Sequence, residues 1–166
     1  MSELDYIDRS EVEWARVAAG INLADTADLS RVMRLAAHLL LDLGEICAGQ
    51  DLTVSQFQAL AALRRRHPRP MTASELAEAA LLTSGAMTPV LDKLSDRGLI
   101  TRQADEADRR ARRITITPKG TTLINAALDR QVARHREINS VLPLEERQQL
   151  SASLRKLLLA MEAAAG

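Results

Sequence analysis

The chain has 166 residues, sets 22 lysines and arginines against 22 aspartates and glutamates, and is 46% hydrophobic but only 2% aromatic. That length suits one domain, or a compact domain with dimerising arms, long enough to bury a real core. Zero net charge excludes a nonspecific cationic coat on nucleic acid, the lack of eighteen consecutive apolar residues excludes a membrane-spanning helix, and a single cysteine, Cys47, excludes an intrachain disulfide.

The first thirty residues hold seven acids against two arginines and do not read as a signal peptide, so with a lone cysteine the expected location is the cytoplasm. Within them residues 8 to 20 read as a helix carrying the only tryptophan, Trp14. Residues 29 to 48 follow as a second helix. Its Val32, Leu35, Ala36, Leu39, Leu40, Leu43 and Ile46 form more apolar face than one small core needs, which implies a partner.

The stretch from Thr72 to Lys119 is the most informative, and the expected winged helix-turn-helix DNA-binding lobe runs over residues 53 to 117. Thr72, Ala73, Ser74 and Glu75 have capping-box spacing, so a short helix starts there, with Leu76, Ala79 and Ala80 on its apolar edge. Leu81, Leu82 and Thr83 interrupt the pattern before Thr83 or Ser84 caps a second helix. Two short helices joined by a tight turn are a helix-turn-helix. In the second, Met87, Val90, Leu91 and Leu94 face inward, while Ser84, Thr88, Asp92, Lys93 and Asp96 face outward. An outward face that is small and polar near the helix start can approach base edges closely, which places Ser84, Gly85 and Thr88 nearest a major groove. Pro89 removes a donor about one and a half turns in, so the helix either starts later or kinks.

Gly98 follows as a left-handed helix end, then residues 99 to 102 as a strand. Arg113, Ile114, Thr115, Ile116 and Thr117 form its partner, with Ile114 and Ile116 on one face. The polar stretch from Gln103 to Arg112 is then a solvent-exposed hairpin loop. From Arg97 to Lys119 seven basic residues stand against three acids, so positive charge gathers on one part of a neutral chain. Thr117 and Pro118 cap a further helix through Leu123, Ile124, Ala127, Leu128 and Val132, and after Pro143 a last helix repeats Leu150, Leu154, Leu157, Leu158 and Met161. Residues 118 to 164, with 29 to 48, are the expected dimerisation helices. The fold class is mainly α with a small β-hairpin wing, a winged helix-turn-helix lobe joined to a helical dimerisation region.

Ser84 to Thr88, Leu91 to Leu94, Arg97 to Ile100, Asp108 to Arg110 and Ile116 to Gly120 together resemble the MarR family of bacterial transcription regulators, in order and at matching spacing over about a third of the chain. Flanking helices extend the similarity to nearly all 166 residues as a single MarR-type domain. The resemblance implies a homodimer on a pseudo-palindromic operator, with recognition helices in successive major grooves, wings in the neighbouring minor grooves, and repression as the usual outcome. It makes Asp108 and Arg110 the wing-tip pair, a guanidinium held by a carboxylate and aimed into a narrow, negative groove. Arg109, Arg112 and Lys119 are expected on phosphates. Thr72, Ser74, Ser84, Gly85, Thr88, Pro89 and Lys93 complete the DNA-binding set, although Pro89 stands where the family has a polar or basic residue.

The helix at residues 8 to 20 is similar to one in the family's urate-responsive subgroup, which implies a small-molecule site including Trp14, Gln58 and Arg102. Gln58 replaces the subgroup's aspartate and Val90 its second arginine, so the implied effector is another small planar or anionic molecule. The plainer reading is that Trp14 packs the extra helix down.

No phosphate loop, nucleophile elbow or paired-carboxylate motif supports an enzyme, and no cofactor is expected. His38, His67 and His135 lack metal-ligand spacing, and nothing near Cys47 in sequence lowers its pKa for redox sensing. The alternative from another class is a winged-helix protein-protein interaction module without specific DNA binding.

Overall fold

A computed structural model describes residues 4–18, 23, 26–104 and 112–165. Among them are seven helices and one two-stranded antiparallel sheet. Helix α1 (Tyr6–Val17) starts earlier than residue 8, because Asp5 and Asp8 cap each other reciprocally, each carboxylate accepting the other's N–H at 2.9 Å. It ends at Val17 with Ala18 as C-cap, and Ala19 and Gly20 lie outside the described residues. Arg31 of α2 (Ala27–Ala48) grips both caps, Nε to Asp5 Oδ2 at 2.6 Å and NH2 to Asp8, while Arg34 lies 3.9 Å from the Tyr6 ring centroid. The Arg31 hydrogen bond is the main reason the Asp5 carboxyl is pulled from its usual 3.8 to about 2.

Helix α3 (Val54–Arg66) opens with a second capping box, Thr53 with Gln56, and buries Gln56, Phe57, Ala59, Leu60, Ala62 and Leu63. It is the central helix of the lobe. Around it pack α4 (Ala73–Ala79), α5 (Ser84–Asp96) and the sheet, in which β1 (Ile100–Ala104) pairs with β2 (Arg112–Ile116), Ile100 opposite Ile116. The first strand starts one residue later and runs further than expected, and the second is shifted one residue toward the wing, because Thr117 leaves the ladder to cap α6 (Pro118–Asn139). Met71 adds a bridge to β2, exchanging N–H bonds with Ile114 at 3.0 and 2.8 Å.

The buried residues run from Leu43 to Ala127. No described residue of α7 (Leu144–Ala165) is buried, and α2 buries only Leu43 and Cys47. Between α1, α2 and α7 runs an apolar groove of about 720 Å³, walled by Val32, Leu35, Leu39, Leu150, Leu154 and Leu157. No helix among the described residues is long and apolar enough to cross a membrane.

Candidate nucleic-acid interface

The first helix of the helix-turn-helix is fixed by its cap. Thr72 Oγ1 accepts the Glu75 N–H at 3.2 Å, and the Thr72 N–H donates to Glu75 Oε2 at 2.7 Å, which is the chief reason the Glu75 pKa is lowered. Leu81 then takes a left-handed φ of 52° and stands 95% exposed, turning the chain in a tight corner. Thr83, rather than Ser84, caps α5, its Oγ1 accepting the Ala86 N–H at 3.2 Å.

That cap settles the effect of Pro89. The helix does not start later: Pro89 is its sixth residue, and the donor it lacks is the one that would reach the Gly85 carbonyl. Met87, Leu91 and Leu94 are buried, while Ser84, Gly85, Thr88, Pro89, Asp92 and Lys93 are exposed on the opposite face. A Cβ added at Gly85 would meet nothing within 4 Å, so no internal packing demands glycine there. The helix thus presents a shallow polar face, with the Thr88 hydroxyl donating to the Ser84 carbonyl at 3.3 Å.

The far end of α5 is pinned from two sides. The Arg97 guanidinium donates to the Asp51 carbonyl and lies 3.6 Å from its carboxylate, reaching the turn between α2 and α3. From α6, Lys119 Nζ donates to the Arg97 carbonyl at 2.8 Å, Thr117 Oγ1 to the Gly98 carbonyl at 2.9 Å, and the Thr117 N–H to the Leu99 carbonyl at 3.0 Å. Gly98 holds φ +65°, and a Cβ on Gly120 would collide with the Leu99 carbonyl oxygen. The recognition helix is therefore rigidly joined to the helices that lead into the arms. Lys119, expected on a phosphate, spends one of its three ammonium protons inside this joint. Arg97 and Asp51 are the positioning residues that sequence reasoning missed, and Thr117, expected only as the cap of α6, also holds this joint; the glycines at 98 and 120 were the available signal.

Asp108, Arg109 and Arg110 lie outside the described residues. Arg112 is exposed at the start of β2, Ser74 is exposed on α4, and Thr72 is half-buried as its cap. Arg102 on β1 pairs with Asp92 on α5 at 2.7 Å, tying the wing to the recognition helix. Trp14 is half exposed beside a cavity of about 280 Å³ lined also by Ile7, Ser10, Glu11, Leu23, Thr26 and Ser30. Neither Gln58 nor Arg102 lines it, so one chain alone does not bring the three expected effector residues together. Cys47 is buried, and burial pushes its thiol pKa up, the opposite of a reactive thiolate. The described residues hold no group of three or more metal-ligating side chains.

A sequence profile of the MarR family matches residues 50–111. The HTH-type transcriptional regulator PecS of Dickeya dadantii is 28% identical over 155 residues, covering 92% of this chain and 93% of that protein. MhqR of Bacillus subtilis, also an HTH-type transcriptional regulator, is 32% identical over 106 residues, 64% of this chain and 72% of that one. Among solved structures, the MepR–DNA complex of S. aureus superimposes with a TM-score of 0.71 at 26% identity, covering 79% of this chain and 96% of that chain. These relatives are transcription regulators, not enzymes.

Proposed function

The chain belongs to the MarR family of transcription regulators, and from that premise we propose that it is a homodimeric, ligand-responsive repressor reading a pseudo-palindromic operator in the cytoplasm. One observation carries the reading: α5 keeps Ser84, Gly85, Thr88 and Lys93 exposed opposite a fully buried stripe, and both its ends are fixed. Such a helix enters a major groove without reorganising, with hydroxyls for bases and Lys93 for a phosphate. Thr72 and Ser74 at the start of α4 approach the backbone beside it. Asp108 and Arg110 at the wing tip read the adjacent minor groove, and Arg109, Arg112 and the remaining protons of Lys119 meet phosphates.

Dimerisation supplies the second half-site. Leu150, Leu157, Leu158 and Met161 of α7 and Leu35 and Leu40 of α2 are exposed in one chain. Covering such leucines yields about 1.5–3 kcal/mol each when burial is complete, enough for several to sustain a stable pair.

The effector is a small planar or anionic molecule that engages Arg102; since Trp14 lines a cavity that neither Gln58 nor Arg102 reaches in one chain, Trp14 and Gln58 join that site only if the second protomer completes it. The Arg102–Asp92 pair supplies a route for its signal: an anion that captures Arg102 releases Asp92 on the recognition helix, so effector and operator binding oppose each other through linkage. Addition of an effector must then weaken operator affinity, and a screen of small aromatic carboxylates in which nothing does so would remove this part of the reading.

The test of the whole is fluorescence-anisotropy binding to DNA upstream of the protein's own gene, across a salt series, beside an unrelated duplex and Arg110→Ala. Nanomolar, sequence-selective binding weakened by Arg110→Ala is expected. Equal, weak binding to both duplexes would favour a protein-docking module instead.

A further inference from the structure

The seven residues from Arg64 to Pro70 contain four arginines, one histidine and no acid, in a chain whose net charge is zero. Two of the four are held. Arg64 Nε donates to Asn125 Oδ1 of α6 at 3.1 Å, and Arg66 lies 3.7 Å from Glu75 on α4. The side chains of Arg65 and Arg69 are exposed and make no side-chain hydrogen bond or ion pair among the described residues, the Arg69 N–H alone donating to the Arg66 carbonyl at 2.9 Å.

The segment has a fixed place. Its end is stitched to the wing sheet through Met71 and Ile114, and Arg66 and Arg113 both act electrostatically on Glu75 in the first turn of α4. Arg69 lies three residues before Thr72, no more than about 11 Å along the chain from the start of α4. Pro68 and Pro70 restrict the backbone between, so the arginines are presented on a stiffened edge. Cations left unpaired beside one another repel, and a solvated surface run ordinarily intersperses acids to relieve this. Here none is interspersed, and the guanidinium in all four positions is the group best shaped for phosphate oxygens.

We infer that Arg65 and Arg69 form a lateral phosphate-binding edge that follows the duplex backbone away from α4, outside the bases read by α5 and the wing. The partner is the phosphodiester backbone of DNA next to the half-site, bound regardless of sequence. This rests on the DNA-binding reading above and extends its footprint. Arg66 and Arg64 do not bind; they hold the edge against α4 and α6.

Salt dependence separates an arginine that meets a phosphate from a structural one, because removing each such arginine lowers the slope of log affinity against log salt by about one. The experiment compares wild type with Arg65→Gln/Arg69→Gln on two duplexes, the bare operator and the operator with flanking DNA on both sides. Wild type should bind the longer duplex more tightly and with a steeper slope. In the variant the slope on the longer duplex should fall by about four for a dimer without two arginines per protomer, and the advantage of the flanks should vanish while preference for operator over unrelated DNA persists. Unchanged slope and affinity on both duplexes, with the thermal midpoint also unchanged, would overturn the inference and leave the regulator reading standing. If wild type itself shows no preference for the operator, it is the regulator reading that has failed.

Discussion

The winged lobe and the helical arms of this chain are built on opposite terms. From Leu43 to Ala127 the lobe closes on itself, with Leu60, Leu76, Met87, Leu94 and Ile124 fully excluded from solvent around the central helix α3. The arms close on nothing: α7 has no buried residue among those described, and the N-terminal half of α2 leaves Leu29, Val32, Met33 and Leu35 exposed. The lobe covers its own apolar surface, whereas the arms leave theirs uncovered within one chain. The contrast predicts that damage to the arms abolishes assembly while sparing the lobe, and that damage to the lobe lowers stability directly.

The largest effect should come from Leu150→Asp/Leu157→Asp, which places two carboxylates in the apolar groove between α2 and α7. Light scattering should report a monomer at micromolar concentration, helical circular dichroism should be nearly retained, and operator affinity should fall on the order of 100-fold as binding drops from two anchors to one. A variant that stays dimeric would break the contrast. Inside the lobe, Gly120→Ala drives a methyl into the Leu99 carbonyl; overpacking of this kind costs about 1–3 kcal/mol and should lower Tm by roughly 5 °C. The opposite sign is expected for Pro89→Ala, which restores a donor toward the Gly85 carbonyl and should raise the urea midpoint by the equivalent of about 2 kcal/mol. Lower stability there would mean that the proline ring packs usefully.

The smallest effect concerns α1. Asp5 is held at about 2 against its ordinary 3.8, so its contribution to fastening α1 is present above pH 4 and is lost as pH falls from there through 2. Trp14 fluorescence should shift in that interval, and Arg31→Met should move the change toward the ordinary carboxylate range. A Trp14 signal flat down to pH 2 would show that α1 is held by apolar packing instead.

The lobe was largely legible because its punctuation is local. Thr72 with Glu75, Thr83, Gly98, the alternating Ile114 and Ile116, and Thr117 before Pro118 each act within a few residues, and each sits where the pattern puts it. Helix α3 escaped notice although Thr53 and Gln56 carry the same capping signature, because a helix buried on several sides shows little apolar periodicity. Helix α1 starts at Tyr6 rather than residue 8 because its cap is a pair of aspartates, Asp5 and Asp8, which lack the usual Glu or Gln signature of a capping box. At the interface, the outward face of α5 could be read from spacing. The joint at its far end could not: Arg97 to Asp51 and Lys119 to the Arg97 carbonyl span 46 and 22 residues, distances over which sequence pattern carries no geometry. The wing tip, Asp108 to Arg110, rests on the sequence.

The most direct test of two lobes joined through their arms is operator spacing. The recognition helices should engage two half-sites about one helical turn apart, 34–36 Å. Affinity should be measured for the operator as found upstream of the gene and for the same operator with five base pairs inserted at its centre, which turns one half-site to the opposite side of the duplex. The insertion should abolish tight binding although every base of both half-sites is kept; equal affinity for the two duplexes would contradict a rigid dimer reading both halves at once.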